Sequence, residues 1–562
     1  MQKILKFLSK ETRGLHQAAF ILAFGSVGAK ALAILRDRLL ASNFGAGKTL
    51  DVYYASFRLP DLLYVFSLFL VSVTALIPLF LEKKKISIEE SKRFINSVFT
   101  VFFVFLVFLT AVSFFAVPYI TSMIAPGFSG EDKDILIKLS RILLLSPLFL
   151  GFSNLVAGII QSFRRFFVYA LSGVLYNVGI IFGLLFLEPI IGLKGVVCGV
   201  IIGAFAHFAI QLPSLVSLGY FPRFTRKIDF SGVKQVLNLS FPRALGLALN
   251  QLVLMAMTAV ASLLAVGSIA VFNLASNLQT IPLGVIALSY SVAAFPSLAR
   301  SFIKKEKEEF LSSISSSFSH IIFWLLPFTA LFVVLRAQIV RVILGAGVFT
   351  WADTRLTAAA LALFSFSLFA QGIVLLLVRA FYAAGKTKIP LIVNIISSFV
   401  IVISSVAFLS LFKNCVSVGW FFKNLLRVGD VSGASVLALP LAYSIGMILN
   451  FILLFVFFEK EFGGISLRVK KSALQVTASS VLSGATAYFF LSIFARIFNL
   501  DIFFGIFMQG FLAGILALFA GFVFLKLTNN RELKEITLFV RKKFSYVEGK
   551  KIVAKPEPEE LP

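Results

Sequence analysis

The chain has 562 residues, 59% hydrophobic and 14% charged, with a formal net charge of +26 and a mean hydropathy of +0.97. That balance excludes a soluble globular domain and fits many spans of about twenty apolar residues. The apolar runs are continuous rather than alternating, which excludes a porin-like barrel and leaves helices to satisfy the backbone in lipid. The basic residues recur in short clusters between apolar runs and form no single patch, so they read as topology and not as a nucleic-acid footprint. Cys198 and Cys415 stand far apart and form no CxxC, so they read as packing residues rather than a disulfide framework or zinc site.

The chain opens on "MQKILKFLSKETRGLHQ", basic and amphipathic with no small-residue cleavage site, which reads as a retained cytoplasmic segment over 1–14. About fourteen apolar runs long enough to cross roughly 30 Å of hydrocarbon follow. Their extents are 15–42, 52–81, 95–124, 134–161, 166–187, 190–218, 232–266, 268–302, 310–344, 353–384, 388–412, 433–459, 470–497 and 501–527. The connections "EKKKISIEESKR", "FRRF", "PRFTRK", "IKKEKEE", "GKTK" and "RVKK" fall on one side. Those on the other side, "NFGAGK", "APGFSGEDKD", "EPIIGLK", "VGS" and "GAGVFTWAD", are poorer in Lys and Arg. The positive-inside rule then places both termini in the cytoplasm, including a charged, Pro-containing tail over 531–562.

The first six runs repeat in the next six. "VTALIPLFLEKKK" (73–85) resembles "VAAFPSLARSFIKK" (292–305), "ITSMIAPGFSGED" (120–132) resembles "VRVILGAGVFTWAD" (340–353), and "GIIQSFRRFFVYAL" (158–171) resembles "LLVRAFYAAGKTKIPL" (376–391), all at a nearly constant offset. An even number of spans per unit makes the repeat parallel, with its axis along the membrane normal. The expected architecture is an all-α polytopic membrane protein with two pseudo-symmetric six-helix lobes, 15–222 and 223–460, around a central site. Two extra C-terminal helices over 461–530 serve packing or substrate entry.

Charges inside spans face a bundle interior or a watery cavity, because a lipid-facing Arg or Asp costs roughly 2.5 to 3.5 kcal/mol on insertion scales. In "LRDRLLASNFGAGKTLD" (35–51) and its flanks, Lys30 and Asp37 share a face of the first helix, with Arg36 and Arg38 beside them. Asp51 and Arg58 are likewise seven apart in the second helix, and Asp61 follows one turn later. One reading has Arg36, Asp37 and Asp51 pairing to lock two helices while Arg38 and Lys48 snorkel. The other has Lys30, Arg36 and Arg58 as surplus cations in a cavity, if Asp61 faces the cytoplasmic end of its helix; such cations invite an anion, and the planar fork of Arg suits a phosphate. Arg164, Arg165, Lys386 and Lys388 read as positive-inside anchors, Arg336, Arg341 and Arg379 as snorkelling residues, and His16, His207 and His320 as packed. Arg243, behind Pro242, is interfacial or reaches the cavity. No HExxH, GxSxG or Asp-rich motif supports an enzyme.

The stretches "RDRLLASNFGAGKTLDVYYASFRLPDLL" (36–63), "APGF" (125–128), "QLPSL" (211–215), "FPSLARSF" (295–302) and "FYAAGKTKIP" (381–390) resemble the MurJ/MviN family of lipid II flippases, in the MATE-like exporter superfamily. The resemblance covers most of 15–525. It implies fourteen helices in a V of two lobes, with the last two forming a lipid-tail groove. It also implies outward transport of undecaprenyl-pyrophosphate-linked peptidoglycan precursor across the bacterial plasma membrane, with cell-wall synthesis proteins as possible neighbours. By the resemblance, Lys30, Arg36, Asp37, Asp51 and Arg58 fall on substrate-facing positions, Lys30 replacing the usual Arg. The eighth-helix "FNLASNLQTIP" departs from the pattern, with Asn277 in place of Arg and Thr280 in place of Glu, and Phe69 stands where the family has an acid. Arg243 is a candidate to replace the missing cation. Some relatives bind sodium between the seventh, eleventh and twelfth helices; here those spans offer Asn250, Asn394 and Ser397 and no interior carboxylate, so sodium coupling is unsupported and no cofactor is expected. The alternatives are a flippase for another polyprenyl-linked oligosaccharide, a cation-coupled drug exporter, disfavoured by the basic cavity, and a non-transporting scaffold of the same fold.

Overall fold

The computed structural model describes residues 15–71 and 73–538, and the N-terminal segment 1–14 and the tail from 539 onward lie outside the described residues. The side chains of Arg243 and His16 also lie outside them. Among the described residues the chain forms helices and no strand. The first half contains α1 (Leu15–Phe44), α2 (Lys48–Ile86), α3 (Ile88–Ile124), α4 (Glu131–Ser162), α5 (Phe166–Ile191) and α6 (Leu193–Ser217). The second contains α7 (Phe230–Ser262), α8 (Ser268–Ile303), α9 (Lys307–Val334), α10 (Trp351–Ser365 and Leu368–Ala383, bent by 44°), α11 (Lys388–Asn414) and α12 (Ala434–Glu461). After them come α13 (Ile465–Phe494) and α14 (Phe503–Leu527).

Twelve of these are long and apolar enough to cross a membrane, and bent α10 makes a thirteenth. With α1, about 45 Å long at 1.5 Å per residue, they correspond one to one with the fourteen expected runs. Polar residues at the helix ends fix where the helices start. Ser87 accepts from the Glu90 N–H at α3, Asp229 from Gly232 at α7, and Thr350 and Asp353 form a reciprocal capping box at α10.

Packing order reveals the repeat. α1 packs on α5, α5 on α6, α6 on α4, α4 on α2 and α2 on α3; six helices later α7 packs on α11, α11 on α12, α12 on α10, α10 on α8 and α8 on α9. The two units are therefore pseudo-symmetric and parallel. α13 and α14 pack on each other and against α9, outside the repeat. The α5–α6 pair is tight because glycines face glycines: a Cβ on Gly183 would sit 2.5 Å from Gly199 Cα, and one on Gly179 2.3 Å from Gly203 Cα. Small residues four apart let helix backbones approach within a membrane.

The apolar core is joined at one end of the bundle and divided at the other. One cluster runs through both halves at the end bearing the glycine loops, including Leu40, Leu50 and Leu139 of the first half and Phe272, Leu274 and Phe364 of the second. Toward the basic loops the core splits. Phe80, Phe94 and Ile160 of the first half share a cluster with Val233 and Val236 at the start of α7, where Lys83 also reaches Asp229, and Leu298, Phe310 and Phe381 belong to another cluster built from the rest of the second half.

At the joined end the loops of the two halves meet backbone to backbone. Gly267 has φ +89°, and a Cβ there would lie 1.9 Å from the Ala46 carbonyl oxygen, so only glycine fits. The Val348 N–H donates to the Ser42 carbonyl at 3.0 Å.

Candidate functional site

The seam where α1 and α2 meet α7 and α8 brings most of the expected residues together. In α1 the Arg36 guanidinium grips its neighbour, Nε and Nη2 donating to Asp37 Oδ1 at 2.9 and 2.7 Å, while Nη1 donates to Asn177 Oδ1 of α5 at 3.2 Å. The second oxygen of Asp37 accepts from Asn277 Nδ2 of α8 at 3.1 Å, so Asn277 ties the halves together through the carboxylate. Asp37 is buried. Arg36 and Asp37 thus pair as one of the two readings holds.

Asp51 does not join that pair. Its oxygens accept the Gly267 and Ala270 N–H groups at 2.6 and 2.7 Å, which makes it an N-terminal cap for α8 supplied from the other half. The first backbone N–H groups of a helix lack partners, and a carboxylate there also meets the positive end of the helix dipole. This replaces the expectation that Asp51 pairs with the α1 cations.

Arg58 crosses the same seam. The chain turns at Phe57, and from the next helical segment Arg58 Nε donates to Thr258 Oγ1 of α7 at 2.7 Å and Nη2 to Asn273 Oδ1 of α8 at 2.5 Å. It is 6% exposed, and no carboxylate comes within ion-pair distance among the described residues. Lys30 also makes no ion pair or hydrogen bond among the described residues. Its Nζ approaches Gly284 of α8, lying 3.8 Å from where a Cβ would stand. Of the three candidate cations Lys30, Arg36 and Arg58, Lys30 and Arg58 therefore have no paired carboxylate among the described residues, and only Lys30 has appreciable exposure.

Other expected roles change. Arg38 does not snorkel: Nη1 donates to the Val342 and Ile343 carbonyls, at the C-terminal end of the short helix Arg336–Leu344, where orphan carbonyls and the negative dipole end favour a cation. Lys48 pairs with Asp132 at 2.9 Å. Arg165 is buried and ties the start of α5 to the end of α6, through Ser214 and Ser217, rather than anchoring at the surface.

Asp61 does not face the end of its helix. It lines a cavity of about 420 Å³ within the first half, with Tyr64, Ser146, Tyr176, Asn177 and His207. The residues passed over in the sequence are neutral: Asn177, Thr258 and Asn273 take the arginine donors. Their signal is an amide or hydroxyl inside an apolar run, which occurs too often to single them out.

Two six-helix units in parallel repeat, joined by a polar seam at one end and followed by two further helices, define a two-lobed all-α membrane protein. Among solved structures, an inward-facing multidrug resistance MATE family transporter of the MOP superfamily shares this fold with a TM-score of 0.61 at 16% identity, over 79% of this chain and 96% of that one. A lipid II flippase MurJ in an inward closed conformation matches with a TM-score of 0.71 at 23% identity, over 90% and 99%. The family model for the lipid II flippase MurJ matches residues 40–508. A probable lipid II flippase MurJ of Buchnera aphidicola subsp. Schizaphis graminum is 30% identical over 377 residues, 65% of this chain and 72% of that protein. The lipid II flippase MurJ of Burkholderia cenocepacia is 24% identical over 385 residues, 66% and 75%. The chain belongs to the lipid II flippase MurJ family, whose members are transporters and not enzymes.

Proposed function

We propose that this protein carries lipid II, the undecaprenyl-pyrophosphate-linked peptidoglycan precursor, from the cytoplasmic to the outer leaflet of the bacterial inner membrane by alternating access. The observation that carries this reading is the divided core: the halves are joined at the glycine-loop end, whereas toward the basic loops α8 to α14 form a core of their own and only the start of α7 stays with the first half. The positive-inside rule puts the basic loops, and with them both termini, on the cytoplasmic side. The separated end then faces the leaflet where the precursor is made. Lys30, unpaired and partly exposed, is the first cation the pyrophosphate meets. Arg58, held by neutral partners, becomes available to it when the seam opens. Arg36 and Asp37 shape the site as a neutral pair, Asn277 and Asp51 hold the halves together, and Arg243 is a further cation for the head group. The two helices outside the repeat accommodate the polyprenyl tail.

The test is complementation. Host cells depleted of their lipid II flippase and expressing this protein should grow, and should stop growing with Arg36→Ala and Arg58→Ala together. Growth unaffected by the double change refutes a cationic route. Head-group accessibility in proteoliposomes, with and without a membrane potential, checks the driving force, since one charge moved through 100 mV is worth about 2.3 kcal/mol.

A further inference from the structure

The cavity inside the first half is distinct from the seam. Its lining belongs entirely to α1, α2, α4, α5 and α6, and the second half contributes nothing to it. We propose that this cavity binds a monovalent cation, a proton or Na⁺, with the Asp61 carboxylate as its counter-charge.

The polar groups around Asp61 are accounted for one by one. From α6, His207 has both ring nitrogens engaged, Nδ1 with Ser153 Oγ at 2.6 Å and Nε2 with Ser172 Oγ at 3.1 Å, so it has no nitrogen left to neutralise a carboxylate. From α5, Asn177 Oδ1 accepts from Arg36 and its Nδ2 donates to the Gly173 carbonyl at 3.1 Å. On α2 itself, the Tyr64 hydroxyl accepts from Asn154 Nδ2 at 3.0 Å, which leaves its proton and a lone pair for the cavity. Tyr176 of α5 supplies a second phenol, hydrogen-bonded to Ser146, and α4 lines the space with that serine and no titratable side chain.

The neighbouring cations are turned elsewhere. Arg36 is matched by Asp37, and Arg58, three residues before Asp61 on the same helix, donates to Thr258 and Asn273. Among the described residues the Asp61 carboxylate makes no hydrogen bond and no ion pair. An ionised carboxylate inside a membrane protein is costly without a compensating charge. Oxygen donors from Asp61, Tyr64, Ser146 and Tyr176 suit a hard cation, and a proton satisfies the carboxylate directly. Occupancy would reach the seam through two short links, the Arg36–Asn177 hydrogen bond and the single helical turn from Asp61 to Arg58. Binding stands apart from the identity of the cargo, whereas its use in driving transport rests on the proposed function.

The purified full-length protein in nanodiscs is titrated with NaCl against KCl and choline chloride at constant ionic strength, reading the midpoint of thermal unfolding. In parallel, infrared difference spectra at pH 7 are searched for a protonated-carboxyl band. Stabilisation by Na⁺ alone, with half-saturation weakened about tenfold or more by Asp61→Asn, supports sodium. A protonated-carboxyl band that Asp61→Asn removes, with no Na⁺ effect, supports a proton. Neither signal in the folded wild type, or signals undiminished in the variant, overturns the proposal. If the variant does not fold, carbodiimide labelling of Asp61 in the wild type is read by peptide mass spectrometry. Labelling slowed by Na⁺ or by alkaline pH supports the site; labelling indifferent to both overturns it. All readouts are independent of lipid transport, so a failed complementation leaves them interpretable.

Discussion

Replacing Asp51 with alanine removes the acceptor of two backbone N–H groups at the start of α8, those of Gly267 and Ala270. Asp51 is 4% exposed, so water does not readily take the place of the carboxylate. Each buried donor left without a partner costs about 1–3 kcal/mol, so the pair costs about 2–6 kcal/mol. Asp51→Asn keeps one acceptor oxygen and sets an NH₂ group against the second donor, for about half that loss. The residue comes from one half and the helix from the other. The deficit therefore falls on the state in which the halves touch and spares a folded state in which they part. At 1.4 kcal/mol per factor of ten, even about 2 kcal/mol moves that balance about thirtyfold. Spin labels at Glu131 and Val266, both exposed near the joined end, report it by pulsed dipolar spectroscopy in a background where Cys198 and Cys415 are serine. Asp51→Ala should populate longer distances and lower the unfolding midpoint. A distance distribution and midpoint equal to wild type would refute the capping role. A raised midpoint would show that the cost of burying the charge outweighs its bonds.

Three further outcomes follow from the same contacts. Gly199→Leu drives a side chain into the α5 backbone, where even a Cβ comes 2.5 Å from Gly183 Cα; overpacking costs about 1–3 kcal/mol or more, read as a lower unfolding midpoint and reduced yield. Lys30→Ala removes a side chain with no polar partner among the described residues, so the midpoint should stay within about 0.5 kcal/mol of wild type while complementation is weakened. The Arg355 guanidinium holds the exposed Asp430 carboxyl below its ordinary range. Its contribution to stability is thus present above the usual Asp value of about 3.9 and lost as pH falls through the depressed one. The midpoint difference between wild type and Asp430→Asn should be flat from pH 5 to 8 and vanish only on strong acidification.

The helices and their repeat were legible because a membrane enforces them: length and apolarity mark each span, and a duplicated unit leaves matching punctuation. The pairing of Arg36 with Asp37 was legible from adjacency. What adjacency misses is the partner from the other half. Asp51 and Arg58 share a spacing that suggests one face, yet their partners are backbone amides, a hydroxyl and an amide hundreds of residues away, none with a charge to announce it. Asp61 shows the converse problem. Its type marks it as costly in a span, but whether it faces a loop or a cavity depends on how α4, α5 and α6 close around it. The four-residue spacing of Gly195, Gly199 and Gly203 was visible in the sequence, while its partners on α5 follow only from the packing.

Under the proposed alternating access, in which the halves separate, the choice of partners across the seam is well suited to that motion. The strong charge pair, Arg36 with Asp37, lies within one helix and moves with it. Every described side-chain bond of Asp37, Asp51 and Arg58 to the second half joins a charge to a neutral group: Asn277, the α8 amides, Thr258 and Asn273. Breaking a buried ion pair by removing one partner costs about 3–5 kcal/mol, whereas a hydrogen bond to a charged group is worth about 1.5–3. Separation along this seam strands no unpaired counter-charge in the second half, and it leaves Arg58 with its charge free for an anion. On the proposed function, a carboxylate at Thr258 or Asn273 would make a stronger seam and a poorer carrier, because the pyrophosphate would have to compete with it for the same guanidinium. Asn273→Asp should therefore raise the unfolding midpoint or leave it unchanged while abolishing complementation, and full complementation by that variant would show that Arg58 never leaves the seam to meet the cargo.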